Sequence, residues 1–197
     1  MTEELTDREL VKRALDGNAG AAAELARRHE KKAFYITYGF THNREEARDL
    51  VQEAFLRMFR NLKLYRAKYE FGTWFYRIVT NLCINYNRRK KIIRWTPLHD
   101  FVGGLQSPDD DIVEEIDRRQ KVSKLKQAIS MLPEKQKAAI LLFDIEGFSI
   151  RDSARILRCS EGTVMSRLHY GRKRLKTLFL EAGIQDFHPS ADSGGEA

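Results

Sequence analysis

The sequence contains little that would cross-link it or carry it into a membrane. Only two cysteines occur, Cys83 and Cys159, and each falls in an apolar helical pattern, so we expect reduced core thiols in a cytoplasmic protein. No apolar run approaches the roughly 18 residues that cross a bilayer. The acidic start, MTEELTDREL, lacks an apolar segment, so we expect no signal peptide and no membrane insertion.

Helix breakers and strand signals are also scarce. The 197 residues include only four prolines, no internal repeat occurs, and no stretch alternates apolar and polar residues as a half-buried strand would. Almost every segment instead carries apolar residues at the 3.6-residue period. The sequence therefore predicts an all-α protein, and its length allows one domain or two small ones.

Positive charge, by contrast, is abundant. The chain has 35 Lys and Arg against 28 Asp and Glu, a net charge of +7 and a pI near 9.4. Such a balance indicates an acidic partner, and nucleic acid is the first candidate. A basic protein without a nucleic-acid partner is the alternative that composition alone leaves open.

Helix-start signals divide the first half of the chain into four helices. Thr6 and Glu9 form a capping-box pattern before the first helix, and Asn43 can cap the third. The predicted helices span residues 10–15, 19–40, 44–62 and 72–91. The core that they would enclose is built from Leu25, Phe34, Leu50, Ala54, Phe55, Met58, Trp74, Phe75, Ile78 and Leu82.

A change of composition separates two domains. Proline and glycine punctuate the chain after residue 96, and the stretch SPDDDIVEEID carries six acids and no base. Pro133 is placed to start a helix beyond this stretch. We therefore predict a first domain at 1–95, a flexible acidic linker at 96–114, a second helical domain at 115–180 and a disordered tail at 181–197.

The end of the second domain predicts a helix-turn-helix. Ser149 can cap a helix over residues 150–157, Ser160 can cap the next helix, and only Arg158 and Cys159 lie between the two. Gly162 would let the second helix approach a phosphate backbone closely, where free N–H groups and the helix dipole favour an anion. The motif is moderately specific for DNA.

The second helix of this motif carries groups that suit DNA recognition. Residues 164–176 hold five basic side chains and no acid, while apolar residues still recur on one face. Ser166 and Arg167 can reach base edges, whereas Arg172, Lys173, Arg174 and Lys176 suit phosphates. The predicted DNA-binding residues are Ser160, Thr163, Ser166, Arg167, Tyr170 and Arg174. A basic amphipathic helix packed on a bundle is the alternative.

The third helix, DLVQEAFLRMF, has a second stripe beside its core face. Asp49, Gln52, Glu53, Leu56 and Arg60 recur there at helical spacing. A leucine that points outward among acids and amides predicts a protein-binding surface. The alternative is a solvated face with one exposed leucine.

Aromatic, amide and basic side chains crowd the fourth helix and the loop before it. Unstacked single-stranded bases need ring faces to stack on, amides for their pairing edges and cations for their phosphates. We expect Trp74 and Phe75 to be core residues. The residues predicted to contact a single strand are Tyr65, Tyr69, Tyr76, Arg77, Asn81, Asn85 and Arg88.

Four stretches of the chain, in order, resemble one known family. They are DLVQEAFLRMFRNL, FGTWFYRIVTNLCINYNRRKK, LPEKQKAAILLFDIEGFSIRDSARIL and CSEGTVMSRLHYGRKRL. Together they resemble the extracytoplasmic-function (ECF) sigma factors of bacterial RNA polymerase. The resemblance extends over about residues 5–180, which makes it far more specific than any one motif.

The resemblance implies a role for each surface of the first domain. This domain is similar to sigma region 2, whose DLVQE helix grips the clamp helices of the largest polymerase subunit. Residues 63–91 are similar to the part that captures the non-template strand of the minus-10 element, and Asn81 matches a base-contacting position. The residues expected to bind core polymerase are Asp49, Leu50, Gln52, Glu53 and Leu56.

The second domain is similar to sigma region 4, whose recognition helix reads the minus-35 element. Ser166 matches a DNA-contacting position there. Many relatives carry Lys or Arg where this chain has Met165 and Arg where it has Tyr170, so the minus-35 sequence is not predicted. The resemblance implies a bacterial transcription initiation factor of the stress-response type. Its expected partners are promoter DNA, an anti-sigma factor, and the largest-subunit clamp helices and flap of core RNA polymerase.

Two other function classes fit the sequence less well. A stand-alone helix-turn-helix regulator would need a dimer interface and a sensor domain, and the sequence suggests neither. A metal-dependent nuclease could use the acids of SPDDDIVEEID, but a linker lacks the rigid framework of a metal site, and the five histidines have no ligand spacing. We therefore expect no catalytic residue, no metal and no cofactor.

Overall fold

The structure, a computed structural model, describes residues 5–95, 125 and 127–181. Every regular element in these ranges is helical, which agrees with the predicted all-α class. The predicted linker, the first residues of the predicted second domain and the predicted tail after Glu181 lie outside the described residues.

Two helical units make up the described part of the chain. The first unit contains α1 (Asp7–Leu15), α2 (Ala19–Thr41), α3 (Arg44–Arg60), a 3₁₀ turn (Leu62–Leu64) and α4 (Phe71–Trp95). The second unit contains a helical stretch at 127–130, α5 (Glu134–Ile140), a π-helical turn (Leu141–Ile145), α6 (Ile150–Leu157) and α7 (Glu161–Glu181). The buried apolar residues of the two units form one continuous cluster.

Side-chain caps set the starts of the first three helices. The Thr6 hydroxyl accepts from the Glu9 backbone N–H while Glu9 accepts from the Thr6 N–H, so the predicted capping box is confirmed. Asn18 caps α2, and Asn43 caps α3 by accepting from two backbone N–H groups. Because these caps satisfy donors that have no partner inside the helix, they define where each helix begins.

The first core matches the predicted set in most positions. Its buried members from that set are Leu25, Leu50, Ala54, Met58, Phe75 and Leu82. Phe34, Phe55, Trp74 and Ile78 are half-buried and pack against it. Cys83 is also buried, and burial raises the pKa of its thiol, so it is a reduced core residue as predicted. Cys159 differs, since it is half-buried in a turn.

In the second unit a glycine allows two helices to approach closely. Gly171 of α7 is buried against α5, and a Cβ added there would lie 2.8 Å from Ile140 Cδ1. Arg172 also connects α7 to the rest of the unit, because its guanidinium donates to both carboxylate oxygens of Asp144 at 2.6 and 3.2 Å. The same guanidinium lies over the Phe143 ring.

Gly171→Ala is expected to lower the free energy of unfolding by about 1–2 kcal/mol, because the added methyl group must displace the buried Ile140 side chain, and this cost exceeds the gain of about 1 kcal/mol in helix propensity. Gly162→Ala is the matched control in the same helix, since its Cβ would meet nothing closer than Ser160 Oγ at 4.0 Å. Urea unfolding followed by circular dichroism measures both. A Gly171→Ala protein as stable as wild type would contradict the close approach of α5 and α7.

The two units also contact each other, which the sequence did not predict. α4 packs against α6, and the Phe148 ring lies 5.2 Å from the Tyr76 ring. The Asn87 side-chain amide donates to Glu134 Oε2 at 3.1 Å. The second unit therefore packs against the face of α4 that carries Tyr76 and Asn87.

Candidate nucleic-acid interface

A tight turn joins α6 to α7, as the sequence predicts for a helix-turn-helix. Arg158 adopts a left-handed conformation (φ 51°), which ends α6 and lets the Cys159 N–H donate to the Ala154 carbonyl at 3.0 Å. The Ser149 hydroxyl caps α6, and the Ser160 hydroxyl accepts from the Thr163 N–H at 3.1 Å to cap α7. Both predicted caps are present.

Five of the six predicted DNA-binding residues form two groups along α7 and at its start. Ser166, Tyr170 and Arg174 are exposed on its outer surface and free to meet a partner. Ser160 and Thr163 lie at the start of the helix, where their hydroxyls are 2.8 Å apart. These two side chains shape the helix start, because the Ser160 hydroxyl accepts from the Thr163 N–H. The start of a helix favours an anion.

Two arginines of α7 have partners inside the chain. Arg167 is half-buried and donates to Cys159 Sγ at 3.4 Å, so it lies along the turn. Arg172 is held in the ion pair with Asp144. The expectation that Arg172 suits a phosphate is therefore wrong for this structure, because its guanidinium already has a carboxylate partner. Lys173, Arg174 and Lys176 remain exposed.

Gly162, at the start of α7, is not required by packing within the chain. The space where a Cβ would stand is open. A glycine that folding does not need, at an exposed helix start, fits the expected close approach of a phosphate backbone. It contrasts with Gly171, whose missing Cβ is required by the core.

The polar stripe of α4 is partly open to solvent. Asn81, Asn85 and Arg88 are exposed, and their spacing of four and three residues puts them on one face. In the loop before α4, the Tyr65 hydroxyl donates to the Tyr69 carbonyl at 2.9 Å and the Tyr65 ring packs against Trp74. Tyr69 is thereby held with 42% of its surface exposed.

Tyr76 differs from the other predicted single-strand contacts because it is 95% buried. Its hydroxyl lies 2.8 Å from His29 Nδ1, and His29 Nε2 donates to Asp7 Oδ2 at 2.7 Å. Burial raises the pKa of the Tyr76 phenol, which keeps its proton for this hydrogen bond. Sequence reasoning missed Asp7 and His29, since no spacing rule joins residues on α1, α2 and α4.

Arg77 is half-buried at the same place. Burial lowers the pKa of its guanidinium, and the positive charge of Arg158 in the second unit lowers it further. Two like charges thus face each other where α4 meets the helix-turn-helix. Neither Tyr76 nor Arg77 is fully available to a nucleic acid in this arrangement.

The outward stripe of α3 is present as predicted, and Leu50, which was also expected to bind polymerase, lies outside it. Asp49, Gln52 and Leu56 are exposed, with half of Leu56 accessible, and Glu53 accepts from Arg57 at 2.6 Å. Leu50 is buried in the core and so holds the helix in place without facing a partner. One further residue extends this apolar surface: Phe59, three positions after Leu56, is 40% exposed.

Within the part of the chain that the structure describes, no three His, Cys, Asp or Glu side chains come together as metal ligands would. The same residues contain no helix long and apolar enough to cross a membrane.

Comparison with known proteins identifies the family. Residues 25–92 match Sigma-70 region 2, and residues 123–175 match Sigma-70, region 4. The ECF RNA polymerase sigma factor SigM of Mycobacterium tuberculosis is 32% identical over 183 residues, which are 92% of this chain and 89% of SigM. The chain belongs to the extracytoplasmic-function RNA polymerase sigma factors. The stand-alone regulator is not favoured, because the first unit of this sigma factor matches region 2.

Two further similarities agree with this family assignment. The ECF RNA polymerase sigma factor SigE of Mycolicibacterium smegmatis is 33% identical over 78% of this chain, which spans 59% of that relative's length. The sigma factor RpoE of Bartonella quintana, solved in a co-crystal with the anti-sigma factor NepR, matches with a TM-score of 0.59 at 21% identity. That match covers 76% of this chain and 91% of RpoE, and it shows the shared fold.

Proposed function

We propose that this sigma factor divides promoter recognition between its two domains, 1–95 and 115–180, in the bacterial cytoplasm. The α3 stripe binds the polymerase clamp helices, α4 holds the unpaired minus-10 strand, and α7 reads the minus-35 element. The protein supplies binding energy and no chemistry of its own. One observation carries the proposal: the same chain has a capped helix-turn-helix and, on α4, an exposed stripe of amide and cationic side chains.

The minus-10 role depends on what an unpaired strand needs. Asn81 and Asn85 offer amides that both donate and accept, which suits the pairing edge of a base. Tyr69 offers a ring face in the loop before α4, and Arg88 offers a cation for the backbone. Binding energy from these groups offsets the few kcal/mol that unstacking and unpairing cost.

The minus-35 role depends on the start of α7. Its N-terminal N–H groups and Gly162 suit a phosphate, Ser166 faces outward toward base edges, and Arg174 lies two turns further along for the backbone. Phosphate contacts fix the position of the helix on the duplex, while base contacts carry the sequence preference.

Arg174→Ala is expected to weaken DNA binding equally across sequences and to reduce the slope of log K against log salt by about one unit, because one phosphate contact is lost. Ser166→Ala should instead alter the preference at particular minus-35 bases, at roughly 1–3 kcal/mol for a good contact. Fluorescence anisotropy on cognate and scrambled duplexes separates the two effects.

Arg172→Ala is the control for removing one positive charge from α7, since Arg172 is paired with Asp144. It should lower the stability of the second unit and leave the salt slope near the wild-type value. Equal losses on cognate and scrambled DNA for the Ser166 variant would mean that α7 does not read sequence.

An anti-sigma factor is also a proposed partner. The support is the family membership and the fold shared with RpoE, which was solved with one. Reconstitution with core polymerase tests the function as a whole. The protein should direct transcription from promoters mapped by sequencing the transcripts that its expression induces. Failure to direct core polymerase to any of those promoters would contradict the proposal.

A further inference from the structure

Two large apolar side chains stand in solvent on the first half of α7. Met165 is 56% exposed and Tyr170 is 58% exposed, although the helix buries a separate face that carries Val164, Leu168 and Gly171. Neither Met165 nor Tyr170 therefore belongs to the core. Single apolar side chains are common on protein surfaces, so the meaning of these two depends on where they lie.

Both side chains lie in the part of a helix-turn-helix that meets DNA bases. The N-terminal residues of the second helix of such a motif enter the major groove, and Met165 and Tyr170 fall in the first three turns of α7. Met165 directly precedes the exposed Ser166, and Tyr170 follows Ser166 by one turn. Gly162 leaves open space at the start of the same helix. The surface proposed to read bases is therefore largely apolar.

The same stretch offers little positive charge to a base. Guanine is read in the major groove by an arginine or lysine that donates to its O6 and N7 atoms. Between residues 161 and 170 the only such side chain is Arg167, which is half-buried and donates to Cys159 Sγ at 3.4 Å. Exposed cations begin further along the helix, at Lys173 and Arg174. The positive charge thus suits the phosphate backbone, and the first three turns lack an exposed guanine reader.

Thymine is the base whose recognition uses an apolar group. Its C5-methyl group projects into the major groove, where cytosine has only a hydrogen atom. An apolar side chain against this methyl group removes both surfaces from water, which stabilises the complex. Methionine suits such a contact because it is unbranched and its thioether is polarisable, so it adapts to the shape of the groove.

We propose that Met165 reads the C5-methyl group of a thymine in the minus-35 element, and that Tyr170 supplies a second apolar contact one turn further along. Met165 is thus a specificity-determining residue that favours an A·T pair at the position it meets. Duplex DNA is the partner because the exposed cations at Lys173 and Arg174 continue along the same helix. The inference rests on the minus-35 role proposed for α7 and names what that helix recognises.

Deoxyuridine provides the first test, because it pairs as thymine does and lacks only the methyl group. Holoenzyme formed from the full-length protein and core polymerase binds a fluorescein-labelled promoter duplex that was mapped from the induced transcripts. Each thymine of the minus-35 element is replaced in turn by deoxyuridine, and anisotropy measures the affinity. We expect about fourfold weaker binding at one or two positions, which is the loss expected for one methyl group left in water.

Met165→Ala connects that loss to a single side chain. The variant should bind the unmodified promoter more weakly, and the same deoxyuridine should change its affinity by less than about twofold, since the methyl group no longer has a partner. Met165→Leu keeps an apolar side chain and should keep the sensitivity. Met131→Ala is the matched control, because Met131 is also 56% exposed in the second unit but lies outside α7. It should respond to deoxyuridine as wild type does.

Met165→Arg tests the base preference directly. An exposed guanidinium at this position can donate to guanine O6 and N7, so the preferred base should change from thymine to guanine. Selection from a duplex library with a randomised minus-35 element measures the preferred base for wild type and for the variant. An unchanged preference would contradict the assignment of Met165.

Failure of this inference and failure of the proposed function give different results. A holoenzyme that prefers the promoter over one with a scrambled minus-35 element, yet responds to no deoxyuridine, overturns methyl reading and leaves the minus-35 role intact. A response that persists in Met165→Ala overturns the role of Met165. If that variant instead loses affinity for core polymerase and keeps the response, Met165 is a protein contact. A holoenzyme that does not distinguish the scrambled minus-35 element overturns both.

Discussion

Leu56→Glu is expected to reduce co-purification with core RNA polymerase strongly while the protein stays folded. Leu56 is 51% exposed on α3, between the exposed Gln52 and the exposed Phe59, so no core contact is lost when it changes. A buried anion in a protein interface has no solvent to stabilise it. We therefore expect a loss of about 2 kcal/mol or more, roughly a thirtyfold weaker complex.

The stripe also offers a charge test and a matched control. Replacing Asp49 and Glu53 by lysine should weaken the complex in the same direction. Leu15→Glu, on α1, makes the same substitution at a leucine that is 43% exposed, and it should bind core polymerase normally. If Leu56→Glu still co-purifies at the wild-type ratio, the α3 stripe is not the polymerase contact.

Asn81→Ala should impair promoter opening and leave both polymerase binding and minus-35 binding intact. Asn81 is exposed on α4, so the substitution removes no core packing and leaves the fold as it is. Loss of an amide contact to a base costs roughly 1–3 kcal/mol, which would reduce the open complex by about fivefold to 150-fold.

Template design provides the control for this variant. On a promoter whose minus-10 region is already mismatched open, the unpairing cost is gone, so the defect of Asn81→Ala should shrink. Abortive transcription from duplex and pre-opened templates measures both. A defect of equal size on the two templates would assign Asn81 to a step other than strand capture.

Local signals predicted most of the helices correctly. The capping box at Thr6 and Glu9, the Asn43 cap and the serine caps of α6 and α7 all lie within a few residues of the groups that they satisfy. Helix ends were less well predicted. α3 ends at Arg60, and α4 extends to Trp95, four residues beyond the predicted end at 91. A fraying end has no single residue that specifies it.

Contacts between distant segments were not predicted. The pairing of Arg172 with Asp144 joins residues 28 apart, so counting bases along α7 could not tell that one of them has a carboxylate partner. The Asp7, His29 and Tyr76 hydrogen bonds join three helices in the same way. Residue type and spacing place a side chain on a helix face, but only packing decides what lies opposite that face.

The sequence by itself determined the helical class, the two units, the helix-turn-helix and the stripes on α3 and α4, because periodicity and caps are properties of neighbouring residues. Only the tertiary structure decided which stripe residues are free. It buried Tyr76, left Asn81 exposed, and brought Phe148 against Tyr76 of α4 and Arg155 over the Tyr69 ring in the loop before α4. The physical reason is that docking of the two units depends on shape at points such as Gly39 and Leu141, far apart in the chain.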